Sequence, residues 1–392
     1  MTDKWIVTFE KDFDPVNYHW PNTIKICDIH KHAHHGMCCT ASEAVLKDLQ
    51  LDKKIKSYVK DSIIKIQSLP ARKILNNDVL SALAAAQPIG PFIRRIGSDH
   101  SSQISGDGIG SLSNRTDINV FIVDTGISQH VDLNIVGGRN FTTTDPNAWN
   151  DGNGHGTHVA GIVGAKDNTY GIVGVAPGVR LWAIKVLNDS GSGSVSNIIT
   201  ALNWILANKN ILWSGYAILN MSLGGSAIQV LDDAVNNLIN AGIIVCVAAG
   251  NNSINAINVS PARVVNAITV GATGTNSTYN SLAPYSNFGS IVDILAPGTN
   301  IYSTYLNNGY ATLSGTSMAT PVLTGTVVLL LNKYNLSQFG INNIPQFTRE
   351  IIYSISSNTI ITNNDRTIGS NPRISIPVTK PTTNVSVWAG AF

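Results

Sequence analysis

Charge is scarce in this 392-residue chain: Asp, Glu, Lys and Arg make up 13% of it, against about 25% in an average soluble domain. The formal net charge is +2. Neither nucleic acid nor an acidic membrane is therefore an expected partner. No run of about 20 apolar residues occurs, which argues against a spanning helix. Cysteine is also sparse. Cys27, Cys38 and Cys39 lie early and Cys246 stands alone in an apolar stretch, so no disulfide framework is offered and no oxidising compartment is required. The opening Met1-Thr2-Asp3-Lys4-Trp5-Ile6-Val7 lacks a basic segment followed by an apolar one. No secretory signal is visible, which leaves the compartment unread, with an intracellular place and release by a non-standard route both open.

What the chain does have is length for two or so domains and abundant Gly, Ser, Asn and Thr, a balance that suits a compact, loop-rich enzyme. Residues 1–68 hold most of the histidines, with strand-like Lys4 to Phe9, helix-like Ser42 to Leu49 and strand-like Ile63 to Ile66. They predict a small α+β unit. From 86 to 377 the pattern alternates. Strands are expected over Asn119 to Val123, Val179 to Val186, Ala217 to Met221, Ile243 to Ala248 and Ala267 to Val270, with helices near 155–165, 194–209, 227–241 and 316–333. This is the signature of an α/β fold: a doubly wound, mostly parallel sheet covered on both faces, with functional groups at the carboxyl ends of its strands. Residues 69–85 read as a linker and 378–392 as a flexible tail.

Three short motifs carry the chemistry. Asp124-Thr125-Gly126 follows the apolar run Ile118 to Val123, His155-Gly156-Thr157-His158 follows Asn153-Gly154, and Ser317 lies in Gly315-Thr316-Ser317-Met318-Ala319-Thr320-Pro321. A serine hydroxyl is a poor nucleophile at neutral pH. It needs an imidazole to take its proton and a buried carboxylate to fix that imidazole's tautomer. Singly the motifs are ambiguous: Asp-Thr-Gly also marks aspartic proteases, and His-Gly-Thr-His alone fits a metal site or a helix start. Together, in the order Asp, His, Ser, they resemble the subtilisin-like serine proteases.

That resemblance implies the following. Asp124, His155 and Ser317 are the triad, His158 being a packed helical residue, and Asn251 at the end of Ala248-Ala249-Gly250-Asn251 donates to the developing oxyanion beside the Ser317 amide. Gly191, Ser192 and Gly193 on one side, and Ser222, Leu223, Gly224 and Gly225 on the other, would sandwich a polypeptide substrate as an added strand. The first pocket, walled by Leu223 to Gly225 and Ala248 to Gly250, is small and uncharged, so an uncharged, apolar side chain is expected before the cleaved bond. Residues 1–68 resemble the inhibitory pro-domain of such zymogens, and self-cleavage is expected between Ala85 and Ala86, freeing a monomeric enzyme. Gln87, Asp132 in His130-Val131-Asp132-Leu133, and the loop bearing Lys166, Asn168, Tyr170 and Ile172 match the family's calcium site, with cleavage expected to bring Gln87 to the ion. Ser260-Pro261-Ala262-Arg263 with Ile268-Thr269-Val270-Gly271 looks most like the proteinase K and aqualysin branch. Its disulfides are not reproduced here.

Two rival readings remain. One is a catalytically silent scaffold that binds peptides in the same groove. The other, a nucleotide site at Gly106-Asp107-Gly108-Ile109-Gly110, lacks the GxGxxG spacing and precedes its strand. The cluster Cys27, His30, His32, His34, His35, Cys38 and Cys39 fits no common zinc spacing; a solvated loop is expected, with a pH sensor as the alternative.

Overall fold

In the computed structural model, residues 2–75, 87, 89–100, 106–108, 111–274, 281–334 and 345 are described. The Ala85–Ala86 bond, Ile109, Gly110 and the expected tail lie outside them.

The N-terminal unit begins with the alternating run β1 (Asp3–Phe9), flanked by β2 (Lys25–His30), β3 (Gly36–Ala41) and β4 (Ile55–Lys60) in an antiparallel sheet of order β2-β3-β1-β4. Helix α1 (Glu43–Leu51) turns Leu46 and Leu49 onto Trp5, Val7 and Phe9, which form one core. Strand alternation puts Ile6 on the other face. There it joins a core of the larger domain.

The chain leaves this unit through β5 (Ile63–Ile66) and β6 (Leu69–Leu75), passes the short helix α2 (Pro91–Ile96), and enters the main sheet. That sheet is built from β7 (Ile118–Asp124), β8 (Ile135–Asn140), β9 (Arg180–Lys185), β11 (Tyr216–Met221), β13 (Ile244–Ala248), β15 (Ile268–Thr273) and β16 (Ile294–Pro297). All seven run parallel in the order β16-β15-β13-β11-β7-β9-β8. Every residue of β7 is buried, as a central strand covered on both faces requires. Ile118, Val120 and Ile122 face one core, with α3 (His155–Gly164) and α6 (Thr316–Lys333); Phe121 and Val123 face the other, with α4 (Val195–Ala207) and α5 (Gln229–Asn240). The chain builds outward from β7 in both directions. Its carboxyl end is thus the switch point where a doubly wound sheet opens a crevice.

The remaining strands form two small sheets beside that crevice. One, of order β10-β5-β12-β14, joins β10 (Ser192–Ser194), β12 (Leu223–Ser226) and β14 (Val259–Ser260) to β5; the other, β17-β18-β6, joins β17 (Ile301–Thr304) and β18 (Tyr310–Ser314) to β6. The four cysteines are free. No helix among the described residues is long and apolar enough to cross a membrane.

Candidate active site

Asp124 ends β7 and is wholly buried; its Oδ1 accepts from the Thr125 amide at 2.7 Å and lies 2.7 Å from Nδ1 of His155. His155 is the first residue of α3, and the turn before it is fixed by Asp151. That carboxylate accepts from the amides of Asn153 and Gly154 at 2.9 Å and from the amide and hydroxyl of Thr157 at 3.0 and 2.7 Å, satisfying orphan donors at a helix start. Gly154 has φ 98°, and a Cβ there would lie 2.3 Å from the Tyr305 ring. With Nδ1 held by Asp124, Nε2 of His155 is buried and without a hydrogen-bond partner among the described residues. His158, one turn on, is taken up by structure: its Nε2 faces the carbonyls of Ile301 and Ala311 at 3.1 and 3.0 Å, and burial pushes its pKa down to about 3.

Ser317 stands in the first turn of α6. Its hydroxyl donates to the Ser222 carbonyl at 2.9 Å, and the Ser222 hydroxyl donates back to the Ser317 carbonyl at 2.9 Å. The second bond follows from Pro321. Having no N–H, Pro321 leaves the carbonyl four residues earlier, that of Ser317, without its helical partner. Asn251 follows β13, and its Oδ1 accepts from the amide and hydroxyl of Thr316 at 2.9 and 3.0 Å. A backbone N–H can only donate, so the oxygen must face Thr316 and Nδ2 must face away. That Nδ2 is buried and without a partner among the described residues. Thr316, not singled out from sequence, is thus the residue that aims Asn251; its place next to the nucleophile was the available signal.

Between these groups lies a segment of the chain's own backbone. β5 runs antiparallel to both predicted edges, Ile64 opposite Gly193 and Lys65 opposite Ser192 on one side, Ile66 opposite Leu223 and Lys65 opposite Gly224 on the other. Ile66 N donates to Gly191 O at 3.0 Å and Gln67 N to Ser222 O at 3.2 Å. The Gln67 carbonyl accepts from the Ser317 amide at 3.0 Å. Its side chain donates to Gly224 O at 3.0 Å, and its Oε1 lies 3.6 Å from where a Cβ on Gly250 would stand. The walls of this pocket are uncharged, and all but the half-buried Gly225 are buried, Ala248 included. The side chain seated there is uncharged but polar, where an apolar one was expected.

A profile of the subtilase family matches residues 115–367. The chain belongs to the subtilase family. It is 42% identical over 266 residues to an alkaline protease of Alkalihalobacillus alcalophilus, covering 67% of this chain and 65% of that protein. It is 47% identical over 217 residues to Subtilisin Savinase of Lederbergia lenta, covering 55% of this chain and 77% of that protein. Among solved structures, a cold adapted subtilisin-like serine proteinase matches with a TM-score of 0.59 at 33% identity, over 75% of this chain and 97% of that one. The chain thus spans just under two thirds of the length of the alkaline protease it matches.

The residues of this subtilase expected to hold calcium come together. Carbonyls of Lys166, Tyr170 and Ile172 converge on Nε2 of Gln87 at 2.9, 2.9 and 2.5 Å, and Gln87 Oε1 accepts from the Asn168 amide at 2.9 Å. Asn168 Nδ2 donates to Asp132 Oδ1 at 2.8 Å. Burial pushes the Asp132 carboxyl up to about 6 against its bonds from Asn168, Ile172 and Tyr310. Three inward carbonyls around an N–H bearing partial positive charge, with a buried carboxylate alongside, form an oxygen donor set that fits a hard cation. Gln87 reaches this cradle in the uncut chain. The expected coupling, in which cleavage brings Gln87 to the site, is therefore corrected. Nearby, the amides of Gly106, Asp107 and Gly108 surround the Asp167 carboxylate at 2.7, 3.2 and 3.0 Å, so this subtilase fills that glycine run with its own anion.

The histidine-rich segment is solvated only in part: Cys27 and His32 are exposed, but other members are not. His30 and His34 are 0% and 4% exposed, their Nδ1 atoms 3.0 Å apart. His30 Nε2 lies 3.0 Å from the Thr200 hydroxyl of α4, and Asn203 Oδ1 collects the amides of Lys31, His32 and Ala33 at 3.0, 2.7 and 3.3 Å. This turn is one of the contacts through which the N-terminal unit docks. Among the described residues no group of three or more His, Cys, Asp or Glu is placed to hold a metal ion.

Proposed function

We propose that this chain is a serine endopeptidase made as a self-processing, self-inhibited precursor. The observation that carries the reading is the Asp124–His155 pair at 2.7 Å, with the imidazole's other nitrogen left unpartnered beside a cleft in which the Ser317 amide holds a peptide carbonyl. Asp124 fixes the proton on Nδ1, so Nε2 is the basic atom. When the Ser317 hydroxyl swings from the Ser222 carbonyl to Nε2, it loses its proton as Oγ attacks the carbonyl carbon. Negative charge then develops on the carbonyl oxygen, met by the Ser317 amide and by Asn251 Nδ2, which has no other bond to break. His155 returns the proton to the leaving amine, and water releases the acyl group by the same path.

Polypeptide substrates would bind as β5 does, as a strand between Gly191–Gly193 and Ser222–Gly225. While β5 occupies that groove, none can enter; residues 1–68 therefore act as the inhibitor of the domain to which they are joined. Calcium would be held by Asp132, Asn168, Gln87 and the carbonyls of Lys166, Tyr170 and Ile172, and would serve only to stiffen the fold. The enzyme acts as a monomer. The test is peptide hydrolysis by the processed chain. Ser317→Ala and His155→Ala should each remove nearly all of it, and the double variant hardly more, because the two act as one unit. A Ser317→Ala chain that kept its activity would overturn the proposal.

A further inference from the structure

We propose that the first self-cut falls between Gln67 and Ser68, and that the pocket before the cut reads a glutamine carboxamide. This deepens the peptidase reading and rests on it.

Register fixes the position. β5 is paired on both edges, and its alternation buries Ile64 while leaving Ile63 59% exposed. A slip of one residue would turn Ile64 out to water and bring Ile63 and Lys65 inward. In the register held, it is Gln67 whose N–H meets Ser222 O and whose carbonyl meets the Ser317 amide. Gly315 makes room for that carbonyl: a Cβ there would stand 2.4 Å from Gln67 O, 2.8 Å from Ser68 Cα and 3.0 Å from Asn251 Nδ2. The seated bond thus lies between the nucleophile and the unpartnered amide.

Beyond it the chain is held as well. Ser68 and Leu69 line one cleft with Asn153, His155 and Tyr305. The amine leaving Gln67 would form beside the imidazole that must protonate it. From Leu69 the strand β6 pairs antiparallel with β18, Leu69 opposite Ser314 and Leu75 opposite Tyr310. Both flanks of one peptide bond are therefore clamped in extended form, the arrangement that proximity demands.

Recognition of the side chain is equally specific. Gln67 Nε2 donates to Gly224 O at 3.0 Å and to Lys65 O at 3.3 Å. Gly224 O is the pocket's own acceptor and Lys65 O that of the bound strand; a carboxylate in place of the amide would set oxygen against both with no donor between them. The pocket accepts an amide and rejects its acid isostere.

The step balances. Ser317 Oγ bonds to the Gln67 carbonyl carbon and its proton passes to His155 Nε2. The Gln67–Ser68 C–N bond breaks, and that proton goes to the Ser68 nitrogen. Water then hydrolyses the ester, leaving a Gln67 carboxylate and restoring the Ser317 hydroxyl. The new chain begins at Ser68, keeps β6 as an edge strand, and keeps Gln87 in its carbonyl cradle. A cut at Ala85–Ala86 becomes a second, separate event.

The experiment is a time course of the full chain after expression at neutral pH, with intact masses and new amino termini read at the earliest point where cutting is visible. Ser317→Ala serves as the uncut control. The expected first products are residues 1–67 and a chain beginning at Ser68, and Gln67→Glu should slow that cut by at least about tenfold at pH 8. First products cut at any other bond, Ala85–Ala86 included, would overturn the position; if added peptide is still hydrolysed, the peptidase reading survives. Absence of both self-cutting and peptide hydrolysis would remove the two together. Gln67→Glu cutting at the wild-type rate would overturn carboxamide recognition, whatever bond is cut first.

Discussion

Acid should loosen the grip of the N-terminal unit through His34. The two Nδ1 atoms of His30 and His34, 3.0 Å apart, can share one hydrogen; a second proton would set N–H against N–H. Other groups facing the pair are the hydroxyls of Thr8 and Thr200, the His35 ring, and the Asp28 carboxylate 3.4 Å from His30 Nε2. Asp28 lies beside His30 and not beside His34, so His34 is the member of the pair with no carboxylate against it among the described residues. Burial, then His30 and His35, push the pKa of His34 from 6.5 down to about 3. Above the ordinary value neither the docked nor the released form binds this proton, and docking has its full strength. Below it an opened form that brings this imidazole into water binds a proton that the docked form refuses. Docking therefore weakens as pH falls from about 6.5 toward 3. At about 1.36 kcal/mol per unit, the 1.5 units to pH 5 correspond to about 2 kcal/mol, or about thirtyfold. The assay is hydrogen exchange in the full-length Ser317→Ala chain, comparing protection factors for residues 2–67 at pH 7.5 and pH 5. His34→Gln, which keeps a donor and an acceptor, should lose most of the dependence. Equal protection at the two pH values, or an unchanged response in His34→Gln, would refute the reasoning.

Asn251→Leu should leave KM nearly unchanged and lower kcat by about 10²–10³, a figure that is subtilisin's own reference case rather than one worked from these distances; a change confined to KM would remove the oxyanion role. Asp124→Asn should leave about 10⁻⁴ of the turnover, because an amide donor at Nδ1 forces the hydrogen onto Nε2 and blocks proton abstraction, and full activity would show that Asp124 does not set the tautomer. Calcium should raise the thermal midpoint in proportion to the logarithm of free ion, chelator should reverse this, and Asp132→Ala should abolish most of the response. An identical melting curve with and without chelator would remove the site.

Much of the fold was legible because apolar runs carry their own period. The strands expected near 119, 217, 243 and 267, and the helices near 155, 194, 227 and 316, stand within a few residues of those positions. β8 was not legible: its Gly137 and Gly138 break the apolar run, and they are there because Trp182 and Trp149 pack where a side chain would stand, 2.6 Å from each Cβ position. The residues of the Asp124–His155 pair could be named from local strings, since each string encodes its own turn. Thr316 and Asp151 could not, because their work is to orient other side chains. The occupant of the cleft was hidden for a different reason. Ile63 to Ile66 reads as a strand, but its partners lie more than a hundred residues away in segments rich in glycine, and nothing local states that pairing. The contacts of His30 with Thr200 and of the His32 amide with Asn203 are likewise ones that no spacing within the first 68 residues could reveal.

The most direct test of the central claim is covalent labelling of the processed chain with an organophosphonate, followed by mass mapping of the modified residue. The expected result is a single adduct on Ser317, formed in step with loss of peptide hydrolysis and absent from His155→Ala over the same interval. A chain that hydrolyses peptide yet carries its adduct on another residue, or one that takes no label at all, would contradict the assignment of Ser317 as nucleophile.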